Sequence, residues 1–146
     1  MRRIFIGLLL ALVALPAWAQ TAPPADRAAL AATWQGAWTR PGYVYEAELH
    51  MTVSAQNIVD GNIHWTLRQT PVAGAQSKIG LTGTEYIRGA YLPAARLLRF
   101  DGYKKDDPNV ILGLDKYRLV LSDDDKAIGG ITWANGDWAG RFSLGR

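Results

Sequence analysis

The stretch Tyr-Val-Tyr-Glu-Ala-Glu-Leu-His-Met-Thr-Val-Ser-Ala, residues 43–55, decides the fold class. Apolar and polar side chains alternate along it, so that Leu49 and Met51 fall on one face and Glu48 and His50 on the other. A period of two residues is typical of a β-strand with one buried and one solvated face. The stretch therefore predicts an antiparallel strand that packs on a core from one side only.

Segments of the same kind occur along the rest of the chain at regular spacing, separated by Gly, Pro, Asn-Gly and Asp-Gly. No helical periodicity appears after residue 33. The spacing predicts an all-β fold, an antiparallel up-and-down β-barrel of about eight strands with a short helix before it. The predicted strands are Trp34–Arg40, Tyr43–Ala55, Asn62–Thr70, Ile79–Tyr91, Arg96–Lys104, Val110–Ser122, Lys126–Trp133 and Trp138–Leu144.

Two glycine-containing turns set the expected register. Asn135-Gly136 suits a two-residue hairpin turn, which places Trp133 opposite Trp138 on one face. Asp60-Gly61 suits a three-residue loop with its glycine in the left-handed conformation. Both assignments keep the apolar side chains together, and they predict that Trp133 points into the barrel.

The first 19 residues have the features of an export signal. Arginines at positions 2 and 3 precede the apolar run Ile4–Leu15, and Ala17-Trp18-Ala19 fits the small-x-small cleavage rule. The run is too short to span a bilayer comfortably. We therefore expect an exported protein, periplasmic or secreted, with no integral membrane segment after cleavage. The predicted organisation is a signal peptide over 1–19, a linker and short helix over 20–33, and a single β-barrel domain over 34–146.

Composition excludes several classes of protein. The 146 residues include no cysteine, which excludes a disulfide scaffold and a cysteine-based zinc site. Removing Arg2 and Arg3 from the 16 basic residues leaves 14 against 13 acids, so no strongly basic surface for nucleic acid is expected. No phosphate-binding loop, nucleotide fingerprint or nucleophile motif occurs. We predict no nucleic-acid partner, no cofactor and no metal.

The segment Trp34-Gln35-Gly36-Ala37-Trp38 follows the predicted helix and opens the first strand. It resembles the Gly-x-Trp signature of the calycin superfamily, which includes lipocalins and avidins. In that superfamily the tryptophan closes one barrel end, commonly against an arginine from the last strand. The resemblance implies the same barrel and pairs Trp38 with Arg141, with Arg146 as the alternative. It implies no particular ligand.

Two acids fall on the predicted inward face, Glu85 and Asp115. A buried carboxylate is costly unless it is paired, protonated or exposed to a wet cavity. Two interpretations stay open. In one, the acids line a polar ligand pocket together with nearby tyrosines. In the other, each acid accepts hydrogen bonds from a tyrosine or tryptophan and fixes the strand register.

The first functional hypothesis is an exported, soluble calycin-like barrel that binds a small apolar or amphipathic molecule in its interior. An eight-stranded barrel is just wide enough to fill itself or to hold one small ligand. The predicted contacts are Tyr45, Trp65 and Trp133 as apolar walls, with Glu85, Asp115 and Tyr117 as polar anchors.

The second hypothesis is a protein-binding envelope module, an inhibitor or accessory protein, with a filled barrel. It would act through its loops and its outer face, where Arg88, Arg99 and Arg118 would contact an acidic partner. An enzyme that uses Glu85 and Asp115 as paired acids is a third alternative, although no spacing in the sequence fixes their separation.

Overall fold

The computed structural model describes residues 27–134 and 138–146, and the predicted signal peptide lies outside these ranges. Eight strands form a closed antiparallel barrel in which each strand pairs with the next and the last pairs with the first. The all-β barrel prediction is confirmed. Its elements are α1 (Arg27–Leu30), β1 (Thr33–Arg40), β2 (Tyr43–Val53), β3 (Ile58–Gln69), β4 (Thr82–Leu92), β5 (Leu97–Asp106), β6 (Lys116–Leu121), β7 (Ala127–Trp133) and β8 (Ala139–Gly145), with 3₁₀ turns over Ala73–Lys78 and Pro93–Ala95.

Antiparallel order gives the barrel two different ends. One end carries α1 and the short connections 54–57, 93–96 and 122–126, and we call it the helix end. The other carries the β1–β2 turn, the β7–β8 connection and the long connections 70–81 and 107–115, and we call it the loop end. Within the described residues, no helix is long and apolar enough to cross a bilayer.

The helix end is closed by Trp34. Its ring is fully buried, and its indole N–H donates to the Leu30 carbonyl at 3.1 Å. The Arg146 guanidinium lies 4.8 Å from the centre of that ring and donates to the Ala29 carbonyl at 3.1 Å. A cation over an indole face is attracted by the ring quadrupole, so the pair holds the last residue of the chain against the first strand.

The structure does not show the predicted pairing of Trp38 with Arg141, nor the alternative pairing of Trp38 with Arg146: the arginine at the helix end is Arg146, and it lies against Trp34. Arg141 is exposed and lies in register with Thr39 and Ile131. Trp38 lies four residues after Trp34 in β1. Side chains four residues apart in a strand point to the same face, so both tryptophans point into the barrel. Trp38 lies deeper in the barrel and does not contact an arginine at the helix end.

The structure also corrects the placement of Trp133. It lies in register with Ala139, not with Trp138, and the Arg118 guanidinium lies 5.2 Å from its ring centre on the outer face. Thr132 points inward instead and is fully buried. A shift of one residue in register moves every side chain of a strand to the opposite face. The predicted Asn135-Gly136 turn itself lies outside the described residues.

The second hairpin turns earlier than predicted. Its tip is residues 54–57, where Asn57 has a φ of 62°, a left-handed conformation that asparagine tolerates. Gly61 lies within β3, opposite Met51. A Cβ on Gly61 would stand 2.2 Å from the His50 carbonyl oxygen, so close approach of the two strands requires glycine there. The predicted loop at Asp60-Gly61 is wrong.

Candidate functional site

A small cavity opens at the loop end of the barrel. Its volume is about 30 Å³, which is room for about one water molecule. The wall combines four aromatic rings, two aliphatic side chains, two acids and one glycine. These residues are Trp38, Tyr45, Trp65, Trp138, Ile111, Leu112, Glu85, Asp115 and Gly113.

The aromatic rings form a connected wall. Trp38 stacks on Trp138 with 5.6 Å between ring centres, and Tyr45 meets Trp38 edge-on at 5.8 Å. Tyr45 also meets Trp65 edge-on at 6.2 Å. Arg40 lies over the Trp138 ring at 4.4 Å. Edge-to-face and stacked pairs each add a favourable contact, so these rings stabilise one another.

Glu85 is 2% exposed and accepts three hydrogen bonds. The Asp115 backbone N–H donates to Oε1 at 2.9 Å, while the Trp65 indole N–H, at 3.2 Å, and the Tyr117 hydroxyl donate to Oε2. Burial raises the pKa of Glu85 to about 7, although these three hydrogen bonds oppose the shift. The carboxyl group therefore titrates near neutral pH.

Gly102 on β5 makes room for this acid. A Cβ at that position would stand 1.8 Å from Glu85 Oε1, so any other residue would displace the carboxyl group. Gly102 lies in register with Ile87, whereas the residue in register with Glu85 is Lys105.

Asp115 is only partly satisfied by the protein. Its Oδ2 accepts from the Thr132 hydroxyl at 3.3 Å, and that hydroxyl in turn accepts from the Trp38 indole N–H at 2.6 Å. Its Oδ1 is buried and has no hydrogen-bond partner among the described residues. Burial raises the pKa of Asp115, and the Thr132 hydrogen bond opposes the rise. Leaving a buried acceptor without a donor lowers the stability of the folded protein, so Oδ1 is the atom of this site that most needs a hydrogen-bond donor.

Loop 107–115 covers one side of the cavity. The buried Asp107 carboxylate accepts from the backbone N–H groups of Ile111, at 2.9 Å, and Leu112, at 2.8 Å. Lys105 pairs with Asp107 at 3.3 Å, and the Tyr45 hydroxyl donates to the Ile111 carbonyl at 2.7 Å. The sixth strand was predicted from Val110, but it begins at Lys116 because these contacts fold the preceding residues into a loop.

Apolar side chains surround the loop end on the outside. The two long connections are joined by the Lys78 ammonium group, which donates to the Val110 carbonyl at 3.0 Å. Val110 is 73% exposed. We call the exposed apolar side chains of the two connections the apolar rim, and they are Val72, Ile79, Leu81, Val110 and Leu114.

The structure brings together four of the six predicted contacts. Tyr45, Trp65, Glu85 and Asp115 all line the cavity. Tyr117 is fully buried behind Glu85 and contacts the cavity only through that acid. The sixth predicted contact, Trp133, lies on the outer face and is the one that the structure contradicts.

Sequence reasoning did not assign the loop residues Ile111, Leu112 and Gly113 to the site, nor Thr132. The sequence analysis assigned residues 110–122 to one strand, so it did not predict the loop that these residues belong to. The Ala134 N–H donates to the Trp138 carbonyl at 2.8 Å, so these two residues pair across β7 and β8. A prediction that used this pairing would have placed Thr132, instead of Trp133, on the inward face.

The three outer arginines of the second hypothesis are not equivalent. Arg88 forms an ion pair with Asp60 at 2.7 Å. Arg118 covers Trp133, and it lies in register with Arg99 on the neighbouring strand. Only the last two form a like-charged pair across strands.

Comparison with known proteins adds no family to this description. No protein-family model, no curated protein and no solved structure matches this chain. The resemblance to calycins, carried by Gly36-x-Trp38, therefore stays a prediction.

Proposed function

We propose that this protein binds a small amphipathic molecule at the loop end of the barrel, with a polar group in the cavity and an apolar part against the rim. The observation that carries the proposal is the buried Oδ1 of Asp115, which has no partner among the described residues and belongs to a residue lining the cavity. A ligand that donates a hydrogen bond there would remove the cost of leaving that oxygen unsatisfied.

The small cavity divides the ligand into two parts. About 30 Å³ admits a polar group of one or two heavy atoms and nothing larger. The remainder of the molecule must lie outside, where Val110 and Leu114 are exposed beside the cavity loop. Covering these side chains would contribute about 25 cal/mol for each Å² of apolar surface removed from water. The ligand is therefore amphipathic, and the predicted export signal would deliver the barrel to it outside the cytoplasm.

Native mass spectrometry of the protein purified from its own host tests the proposal. We expect a copurified mass that is lost on mild activation. The Gly113→Leu variant should lack it, because the new side chain would occupy the cavity, where the nearest neighbour of a Cβ is Asp115 Oδ1 at 3.6 Å.

Gly129→Ala is the matched control. Gly129 lies on the outer side of β7, and its Cβ would meet only the Phe142 carbonyl oxygen at 3.7 Å. This variant should keep the copurified mass. Loss of the mass from the control, or its persistence in Gly113→Leu, would contradict a site in the cavity.

A second candidate function is supported by the outer surface of β5–β7. Arg99 and Arg118 oppose each other in register, although like charges directly opposite destabilise a sheet. Val120 and Ile131 are exposed beside them, at 52% and 57%. An acidic protein surface would relieve the repulsion and cover these side chains. A cross-linked partner that is lost in Arg99→Glu but kept in Gly113→Leu would favour this candidate.

A further inference from the structure

The two acids of the cavity have no cation of their own. Among the described residues, no lysine, arginine or histidine lies within ion-pair distance of Glu85 or Asp115. Lys105, in register with Glu85, pairs with Asp107 instead. Buried acids are normally paired with a cation or hydrogen-bonded throughout. When these acids are ionised, no described cation of the protein balances their charge.

The hydrogen bonds of the cavity residues indicate which chemical group a ligand would place there. Glu85 already accepts from three donors, whereas Asp115 accepts from one donor and keeps Oδ1 free. Tyr45 uses its hydroxyl proton on the Ile111 carbonyl. Oδ1 of Asp115 therefore calls for a hydrogen-bond donor. A carboxylate, a phosphate or a carbonyl in this position would only add another acceptor.

The aromatic wall favours a donor that carries positive charge. Trp38, Tyr45, Trp65 and Trp138 line the cavity, and the faces of such rings attract cations that have lost their water. A hydroxyl group would supply one hydrogen bond but no charge to balance the acids. The volume of about 30 Å³ also limits the cation to the size of an ammonium group. A trimethylammonium group is too large.

We propose that the cavity binds the primary ammonium group of an amphipathic amine, with Asp115 Oδ1 as its principal acceptor and the apolar chain leaving across the rim. This inference rests on the proposed function and names the chemical class of the ligand. The ammonium group has three hydrogens, of which one completes Asp115. The aromatic residues Trp38, Tyr45, Trp65 and Trp138 line the cavity around it.

A series of probes that share one apolar chain tests the inference. n-Hexylamine, n-hexanol, n-hexanoate and hexyltrimethylammonium are titrated separately at pH 8, where an alkylamine is protonated. Binding is followed by isothermal calorimetry and by the fluorescence of the tryptophans that line the cavity. We expect n-hexylamine to bind at least about tenfold more tightly than n-hexanol, since a hydrogen bond to a charged group is stronger than a neutral one.

The result separates this inference from the function on which it rests. Equal binding of hexylamine and hexanol would overturn the ammonium assignment and leave the amphipathic site standing. Tight binding of hexyltrimethylammonium would also overturn it, because that head group does not fit the cavity. If none of the four probes binds and no mass copurifies, the proposed function itself fails.

Two variants locate the effect. Asp115→Asn keeps the shape of the side chain and an oxygen for the Thr132 hydroxyl, so we expect it to fold and to lose the preference for the amine. Asp101→Asn removes the same charge from an exposed position on β5 and should keep the preference. A preference that survives in Asp115→Asn, or disappears in Asp101→Asn, would overturn the assignment of Asp115 as the acceptor.

Discussion

The backbone N–H of Asp115 donates a 2.9 Å hydrogen bond to Oε1 of Glu85. The bond joins the acid of β4 to the residue at which loop 107–115 ends, so the two acids of the cavity hold a fixed relation to each other. The same Glu85 carboxyl group also accepts from Trp65 and Tyr117. The protonation state of Glu85 is therefore coupled both to the position of loop 107–115, which covers the cavity, and to the stability of the barrel.

Stability should fall as pH rises between about 4.5 and 7. Burial raises the pKa of Glu85 from 4.5 to about 7, so the folded protein binds a proton that the unfolded chain has already lost. The contribution of Glu85 to the free energy of unfolding is therefore largest below pH 4.5. This contribution has fallen by about 3 kcal/mol when the pH is above 7. Urea denaturation at pH 5 and pH 8 measures the decline.

Glu85→Gln should remove most of this pH dependence, because the amide does not titrate. A smaller slope of the same sign should remain, since burial also raises the pKa of Asp115. Glu46→Gln is the matched control, because Glu46 is exposed and pairs with Arg68 on the outer face. An undiminished slope in Glu85→Gln would assign the effect to another group.

Gly102→Ala should destabilise the barrel by about 1–3 kcal/mol, the cost of unsatisfied buried polar groups. The new Cβ would stand 1.8 Å from Glu85 Oε1 and would separate that oxygen from the Asp115 N–H. Thermal denaturation measures the loss. Gly129→Ala, with only a 3.7 Å contact at its Cβ, should leave the midpoint nearly unchanged. Equal midpoints for the two variants would show that the Glu85 carboxyl group moves aside freely.

Arg146→Ala should cost about 1 kcal/mol of stability, because it removes the cation from the Trp34 ring and the hydrogen bond to the Ala29 carbonyl. Arg141→Ala should cost much less, since the Arg141 side chain makes no hydrogen bond, ion pair or ring contact with the described residues. Chemical denaturation of the two variants side by side distinguishes them. A larger loss in Arg141→Ala would restore the closure that the Gly-x-Trp resemblance implied and would contradict the contact seen at the helix end.

Alternation of apolar and polar side chains was enough to predict the barrel, because the period of two residues survives errors at the turns. It was not enough to place Trp133. The position of that residue depends on one turn, and pairing of Trp133 with Ala139 instead of Trp138 moves the side chains of β7 to the faces opposite those predicted, while Phe142 on β8 stays inward. The inward position of Glu85 and Asp115 was predicted correctly, because acids interrupt an otherwise apolar face and are conspicuous there; their role as ligand contacts stays a prediction.

The alternation of apolar and polar residues did not predict loop 107–115, for a different reason. Its shape depends on the Asp107 carboxylate, which accepts from two backbone N–H groups, and such local contacts compete with strand pairing without changing hydrophobic periodicity. Arg146 was named only as an alternative, because nothing in the sequence distinguishes two arginines near the end of the last strand. Their different distances from the Trp34 ring follow from the register of β8 against β1.

Asp107→Ala should loosen the cover of the cavity while leaving the barrel folded. The variant removes the acceptor of the Ile111 and Leu112 N–H groups and the partner of Lys105. Hydrogen exchange followed by mass spectrometry should show exchange at least about tenfold faster over 107–115, with the strands unchanged, because the loop opens locally.

Asp106→Ala is the neighbouring control, since Asp106 is exposed at the end of β5. Its exchange should match that of the unchanged protein. A loop that exchanges equally slowly in Asp107→Ala would mean that the Tyr45 hydroxyl and the Glu85 carboxyl group hold it without Asp107. Faster exchange combined with weaker n-hexylamine binding would instead tie the order of this loop to the occupancy of the cavity that it covers.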